Sequence, residues 1–268
     1  MGERRTAGSY SEYLKVPELL RLQTTLSVPP AHDETLFIIV HQVYELWFKQ
    51  LLHEIDAIVD LLIEGRTQPA TRLCRRVAEI QRVLIQQLRI LETMTAPDFV
   101  QFRDVLNPAS GFQSYQFRAF EFRLGLKDRR FFEHHRADPN AVALLESALQ
   151  APSLPDVWSS LLRSRGLDYP ETPSADGERR RIDALRTIYE DSARYYDLYM
   201  LAEALVEVDE NLLLWRQHHL AMVERMIGMK QGTGGSSGVE YLKTTLDRKC
   251  FPELWAVRTA IGRPFTYG

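Results

Sequence analysis

Residues 34–64 read ETLFIIVHQVYELWFKQLLHEIDAIVDLLIE, and their spacing decides the fold. Leu36, Val40, Val43, Trp47, Leu51, Ile55, Ile58 and Leu62 recur at steps of three and four, the period of a helix that buries one face. Pro29-Pro30 stands before the run and Gly65 after it, so the spacing predicts one long helix. A second pattern opens behind Pro69, runs through Leu73, Val77, Ile80, Leu84, Leu88 and Leu91, and stops before Pro97. It predicts a helix antiparallel to the first. Residues 111–124, rich in aromatics and ended by Gly125, predict a third. Between 126 and 180 the signal weakens to two short helical patterns, near 140–150 and 155–165, which read as a peripheral insert. Residues 182–228 hold no Pro or Gly before Gly228, and Leu201, Leu205, Val208, Leu212, Trp215, His219, Met222 and Met226 alternate steps of four and three. With no alternating strand, hairpin dipeptide or internal repeat, the chain is expected to be all-α, one domain over 1–268 built as a bundle of long helices.

Composition narrows the function. Thirty-three Lys and Arg against 36 Asp and Glu leave a net charge of −3, which offers no cationic field to a phosphate backbone or an anionic membrane. Cys74 and Cys250 are too few for a disulfide framework or a thiolate-held metal. The start of the chain lacks the apolar run of a signal peptide, and no stretch of 18 uncharged apolar residues occurs, so a cytoplasmic protein is expected, with neither nucleic acid nor membrane as partner.

His219 is the one polar residue in the 201–226 seam, while His218 is turned about 100° away toward the flank. A lone buried imidazole is more often a hydrogen-bonded core residue than a ligand. Among Trp215, Met222 and Met226, however, it has the apolar setting between helices that an iron porphyrin requires. His41, four residues after Phe37, also points inward, so two histidines could flank one haem, both as axial ligands or one as ligand and one over an open iron site. His32, His53, His134 and His135 fall on polar faces or loops and are expected in solvent. No Glu-x-x-His, His-Glu-x-x-His or Cys-x-x-Cys-His occurs, which removes di-iron, zincin and covalent c-type haem chemistry.

Residues 232–238, Gly-Thr-Gly-Gly-Ser-Ser-Gly, offer free backbone N–H groups and three hydroxyls suited to closing over a small polar ligand, and match neither a P-loop nor Gly-x-Gly-x-x-Gly. Thirteen residues after His219, the loop can fold back over the same pocket. Arg103, between apolar residues, is either a salt-bridge partner of Asp104 or another acid, or a carboxylate clamp. Arg118 and Arg123 have Glu121 nearby as partner.

Several motifs in order then carry a likeness: residues 36–42 (Leu-Phe-Ile-Ile-Val-His-Gln), Glu45-Leu46-Trp47, residues 102–106 (Phe-Arg-Asp-Val-Leu), residues 110–114 (Ser-Gly-Phe-Gln-Ser), Trp215-Arg216-x-x-His219 and the glycine-rich loop. From about Tyr10 to Leu254 the chain resembles the tryptophan 2,3-dioxygenases. The resemblance implies an all-helical, homotetrameric enzyme with one haem b per subunit, ferrous when active, that inserts both atoms of O2 across the indole C2–C3 bond of L-tryptophan to give N-formyl-L-kynurenine. It implies His219 as the iron's axial ligand, His41 as the distal histidine near the indole N–H, and Phe37 as a wall of the indole pocket. Arg103 is implied for the substrate carboxylate, and Gly232 and Thr233 for the part closing over carboxylate and ammonium. Phe99, Leu106 and Ser110 are implied in the substrate pocket, Phe99 standing where some relatives carry Tyr. Tyr10, Tyr13 and Leu14 match an N-terminal Tyr-x-x-Tyr-Leu, which implies that a neighbouring subunit lines the pocket. A haem-based gas sensor or carrier is the alternative; it would share the His219 seam but need neither Arg103 nor the loop.

Overall fold

The computed structural model describes residues 8–171, 174–234 and 237–262, and these contain twelve α-helices and no strand. Two short helices, α1 (Tyr10–Tyr13) and α2 (Val16–Leu19), precede α3 (His32–Ile63) and α4 (Thr67–Leu91). Next come α5 (Ala96–Arg103), α6 (Tyr115–Arg123), α7 (Pro139–Gln150), α8 (Leu154–Ser164) and α9 (Ala175–Glu190). The chain ends in α10 (Tyr196–Ile227), α11 (Val239–Lys243) and α12 (Pro252–Ala260). No helix among the described residues is long and apolar enough to cross a membrane.

The predicted stripe of α4 is buried in full: Leu73, Val77, Ile80, Leu84, Leu88 and Leu91 lie within the core, each worth about 1.5–3 kcal/mol of apolar burial. Its partners sit on both sides. Toward α3, the Tyr44 hydroxyl donates to the Leu84 carbonyl at 2.6 Å, Gln87 Nε2 to the Val40 carbonyl at 2.8 Å, and Arg76 pairs with Glu54 at 2.9 Å. The numbers fall on one helix as they rise on the other, so the pair is antiparallel as predicted. Toward α10, Gln81 Nε2 donates to the Val208 carbonyl at 3.0 Å, and Leu201, Leu205, Val208, Leu212, Met222 and Met226 are buried along the predicted seam.

Two expectations need correction, and one break goes unannounced by the sequence. Residues 111–124 are not one helix: a 3-10 turn over Gly111–Gln113 precedes α6, because Ser110 and Ser114 each cap a separate start with a side-chain oxygen. The stretch 182–228 breaks at 191–195, since α9 and α10 serve different partners. Arg181 of α9 pairs with Glu253 of α12, whereas the start of α10 is held by Asp197, which accepts from Thr67 and Arg165. Within 126–180, α8 buries Trp158, Leu154 and Leu162 in the main core and packs on α3, so this half of the segment is core rather than covering.

On α3 the buried set rotates along its length. Ile55, Ile58 and Leu62 follow the prediction, but toward the N-terminus Tyr44 and Phe48 are buried while Val43 and Trp47 are half-buried. There the helix lines a cavity on one side while it packs on α4.

Candidate active site

That cavity, of about 260 Å³, lies between α3, α4, α5, α6, α10 and α11, with Gly232, Thr233 and Gly238 of the glycine-rich loop in its lining. A second, among Phe48, Leu84 and Trp215, measures about 10 Å³, room for one water at most. The large cavity is the candidate site.

Two aromatic–histidine pairs face it, each at helical i,i+4 spacing. On α3, the Phe37 and His41 rings lie 4.1 Å apart, and Phe37 extends into an aromatic wall with Phe99 at 5.8 Å and Phe102 at 5.5 Å. His41 Nδ1 is 2.7 Å from the Phe37 carbonyl. A carbonyl only accepts, so Nδ1 carries the proton and Nε2 keeps its lone pair. Burial pushes the His41 pKa down, partly offset by that hydrogen bond and by Glu45, and the ring is neutral. On α10, His219 stacks flat on Trp215, 4.8 Å between centroids at 7°. Burial, with His41 and Arg118 adding repulsion, takes its pKa down to about 4. His218 is directed to the flank, as its phase predicts, and meets Glu92 at 3.1 Å.

Arg103, Ser110, Phe99, Gly232 and Thr233 lie together in the cavity lining. Arg103 forms no ion pair with Asp104; its Nη2 donates to the Gln231 carbonyl at 2.5 Å, while its buried Nε has no hydrogen-bond partner among the described residues. The Thr233 hydroxyl donates to the Ala109 carbonyl at 2.6 Å. Gly234 approaches Ser110 so closely that a Cβ there would lie 2.6 Å from the Ser110 Cβ, so this position requires glycine. Gly235 and Ser236 fall outside the described residues. The loop thus folds back over the pocket, with Gly232, Thr233, Ser110 and Phe99 in the lining. Leu106 does not line it; it packs half-buried against the main core. Tyr10, Tyr13 and Leu14 are exposed at 78%, 73% and 44% and take no part in their own chain's cavity.

The floor carries charge that spacing only partly revealed. Arg118 pairs with Glu121 at 2.5 Å, and Arg216 reaches the other oxygen of Glu121 at 2.7 Å, all three nearly excluded from solvent. Arg216 also donates to the Arg248 carbonyl at 2.7 Å, tying α10 to the segment before α12. Arg123 pairs with Asp56 instead of Glu121, because it points to the opposite side of α6 toward α3. His135 is buried against Tyr115, not solvated, since the 3-10 turn over Arg129–His135 folds onto α6 and α7. His32, His53 and His134 are exposed as expected. Arg216 and Tyr241 were not singled out by spacing. Arg216 had a signal, a charge four residues after Leu212 on the buried side of the helix; Tyr241 had none.

These groups suit an iron porphyrin. Among the described residues no three His, Cys, Asp or Glu side chains could hold a bare metal ion. His219 is neutral, the ligating form, and no hydrogen bond to a described residue engages its ring. Two buried guanidinium groups share one carboxylate, and the buried Arg118 Nε and Tyr241 hydroxyl, both at the cavity wall, have no partner among the described residues. The floor is short of an anion, which the carboxylates of a porphyrin supply.

Comparison with known proteins gives the same direction. The family model described as tryptophan 2,3-dioxygenase matches residues 2–173 and 156–261. A relative of that name from Caulobacter vibrioides is 45% identical over 264 residues, covering 94% of this chain and 98% of the relative. Another from Nocardioides sp. is 46% identical over 265 residues, 97% of each chain, and one from Myxococcus xanthus 42% identical over 263, 96% and 90%.

Proposed function

The chain belongs to the tryptophan 2,3-dioxygenase family, and from that premise we propose that it cleaves the indole C2–C3 bond of L-tryptophan with O2, giving N-formyl-L-kynurenine at the head of tryptophan degradation. The observation that carries this reading is one cavity faced by two neutral imidazoles from different helices, with Arg103 and a glycine-rich loop in its lining. Haem b, one per subunit and ferrous in the working enzyme, supplies when bound the iron at which O2 is activated. His219 is the residue to hold it, and Arg118 and Tyr241 the groups to receive its carboxylates.

The chain's own share is orientation and charge complementarity. Arg103 binds the substrate carboxylate with the donor capacity that its bond to Gln231 leaves over, and Gly232 and Thr233 close over the carboxylate and ammonium. Phe37 and Phe99 flank the indole, with Ser110 against Gly234 of the loop and Leu106 contributing through the core on which it packs. His41, its Nδ1 proton committed to Phe37, presents Nε2 as acceptor for the indole N–H. It positions the ring rather than ionising it, since an indole N–H is far too weak an acid for a neutral imidazole of lowered pKa. Tyr10, Tyr13 and Leu14 cover the pocket of a neighbouring copy in a homotetramer, which accounts for apolar side chains left bare in one chain. The buried free thiols of Cys74 and Cys250 suit a cytoplasmic protein.

Adding L-tryptophan to the haem-loaded, reduced protein in air tests the reading. N-formylkynurenine absorbance should rise. A Soret band with no product would leave a gas sensor or carrier, and no Soret band after expression with ample haem would remove haem altogether.

A further inference from the structure

Helices α1 and α2 bury no side chain, and Leu20, Leu22, Leu26 and Val28 after them are exposed. This arm is nevertheless fastened to α3 at two points. Glu34, 1% exposed in the first turn of α3, accepts the Leu26 N–H on Oε1 at 2.6 Å and the Ser27 N–H on Oε2 at 3.0 Å. The Ser27 hydroxyl donates to the same Oε2 and itself accepts the Ala31 N–H at 2.7 Å. Two turns further on, Gln42 donates to the Leu22 carbonyl at 2.9 Å and accepts from Gln23 Nε2 at 2.7 Å. Residues 22–27 therefore run antiparallel along α3, beside the stretch that carries Phe37 and His41.

We propose that Glu34 is a positioning residue for tryptophan binding: by clamping Leu26 and Ser27 it fixes the direction in which the arm leaves α3, and so seats Tyr10, Tyr13 and Leu14 in a neighbouring copy's pocket. The proposal rests on the reading that the arm completes that pocket. A carboxylate is suited to this because it accepts only, and three donors from two consecutive residues converge on it. Burial opposes ionisation of Glu34, but the hydrogen bonds from Leu26 and Ser27 outweigh it and hold the carboxyl below its ordinary pKa, so the clamp is ionised at neutral pH. An amide in its place turns an N–H2 toward N–H donors.

The experiment compares haem-loaded Glu34→Gln, a deletion of residues 1–15, and the two combined. Glu34→Gln should raise KM for tryptophan roughly 13- to 160-fold, the scale of one charge-assisted hydrogen bond, with kcat within about twofold and the Soret band unmoved. Combined with the deletion it should add nothing, because both act through the same segment. In hybrids with Arg103→Ala subunits, Glu34→Gln sites covered by an intact arm should regain the wild-type KM. Effects that add in full, or hybrids that keep the raised KM, would mean that Glu34 acts on its own pocket and would overturn the proposal. A deletion that raises KM beside a Glu34→Gln that does not overturns it alone, whereas a deletion with wild-type KM removes the shared-pocket reading and the proposal with it. Ser27→Ala, which takes away one donor and is the milder change, should reproduce the same pattern at roughly 2- to 5-fold if Glu34→Gln folds poorly.

Discussion

Helices α3 and α10 are each 32 residues long, and each turns one histidine into the same cavity four residues after an aromatic side chain. The rings are held differently. His41 tilts 36° from Phe37 and gives its Nδ1 proton to the Phe37 carbonyl, while His219 lies flat on Trp215 with no hydrogen bond to a described residue. The same sequence spacing therefore yields one imidazole whose orientation is set by a polar bond and one set by stacking alone. The first leaves Nε2 as an acceptor at a fixed point, and the second has no ring nitrogen engaged by a described residue. Spacing leaves open whether both would ligate; under the proposed function the hydrogen-bond pattern assigns the iron to His219 and the indole N–H to His41.

The largest test of that division is His219→Ala against His218→Ala. The first should abolish stable haem binding and the second should not, since His218 meets Glu92 at the flank and is not among the cavity's lining residues; the two Soret spectra decide. Equal loss in both would put the wrong histidine in the cavity. Next in size, Arg103→Ala should leave haem content near normal and lower kcat/KM for tryptophan roughly 30- to 5000-fold, as loss of one member of a buried charge pair does. A variant with near-normal kcat/KM would reduce Arg103 to a tether for Gln231, and the cavity would then be defined by its histidines alone.

Both histidines were legible in the sequence because helical phase is a local property, and so were the loop's return and the α4 stripe. What was hidden was set by distant partners. Glu121 was expected beside both Arg118 and Arg123, yet Arg123 turns to Asp56 and Arg216, 95 residues away, takes the free oxygen. Burial of His135 depends on a 3-10 turn with no periodic signal. The break at 191–195 has neither proline nor glycine to announce it, and arises because α9 is drawn to α12 and α10 to α4. Leu106 packs on the main core and is not among the lining residues, a difference that motif order does not encode.

Acid should separate the histidines more finely. In the haem-free chain, His219 is held neutral down to about pH 4 against an ordinary value of 6.5. The unfolded chain binds that proton first, so the contribution is complete above pH 6.5 and is lost as pH falls toward 4. The loss should be on the order of 3 kcal/mol, spread over that window. Thermal unfolding across pH 4–7 checks this, with His219→Gln flattening the dependence more than His41→Ser, whose pKa is also lowered but partly restored by Phe37 and Glu45. A steeper loss of pH dependence in His41→Ser would reverse the order of burial.

The smallest effect bears most directly on what the tilted ring is for. His41→Ser should keep its Soret band, because the iron retains His219, and should weaken tryptophan binding by roughly 2- to 13-fold, the worth of one neutral hydrogen bond. A tryptophan methylated at the indole nitrogen has no N–H to give, so the fold-loss on His41→Ser should shrink toward one with that substrate. The difference between the two fold-losses measures the bond itself, free of whatever else the substitution disturbs. Equal losses for both substrates would show that His41 acts through packing on Phe37 at 4.1 Å, and its hydrogen bond to the Phe37 carbonyl would then serve the aromatic wall instead of the indole. Disappearance of the Soret band in this variant would make His41 a second axial ligand, closing the iron to O2 and erasing the distinction between the helices.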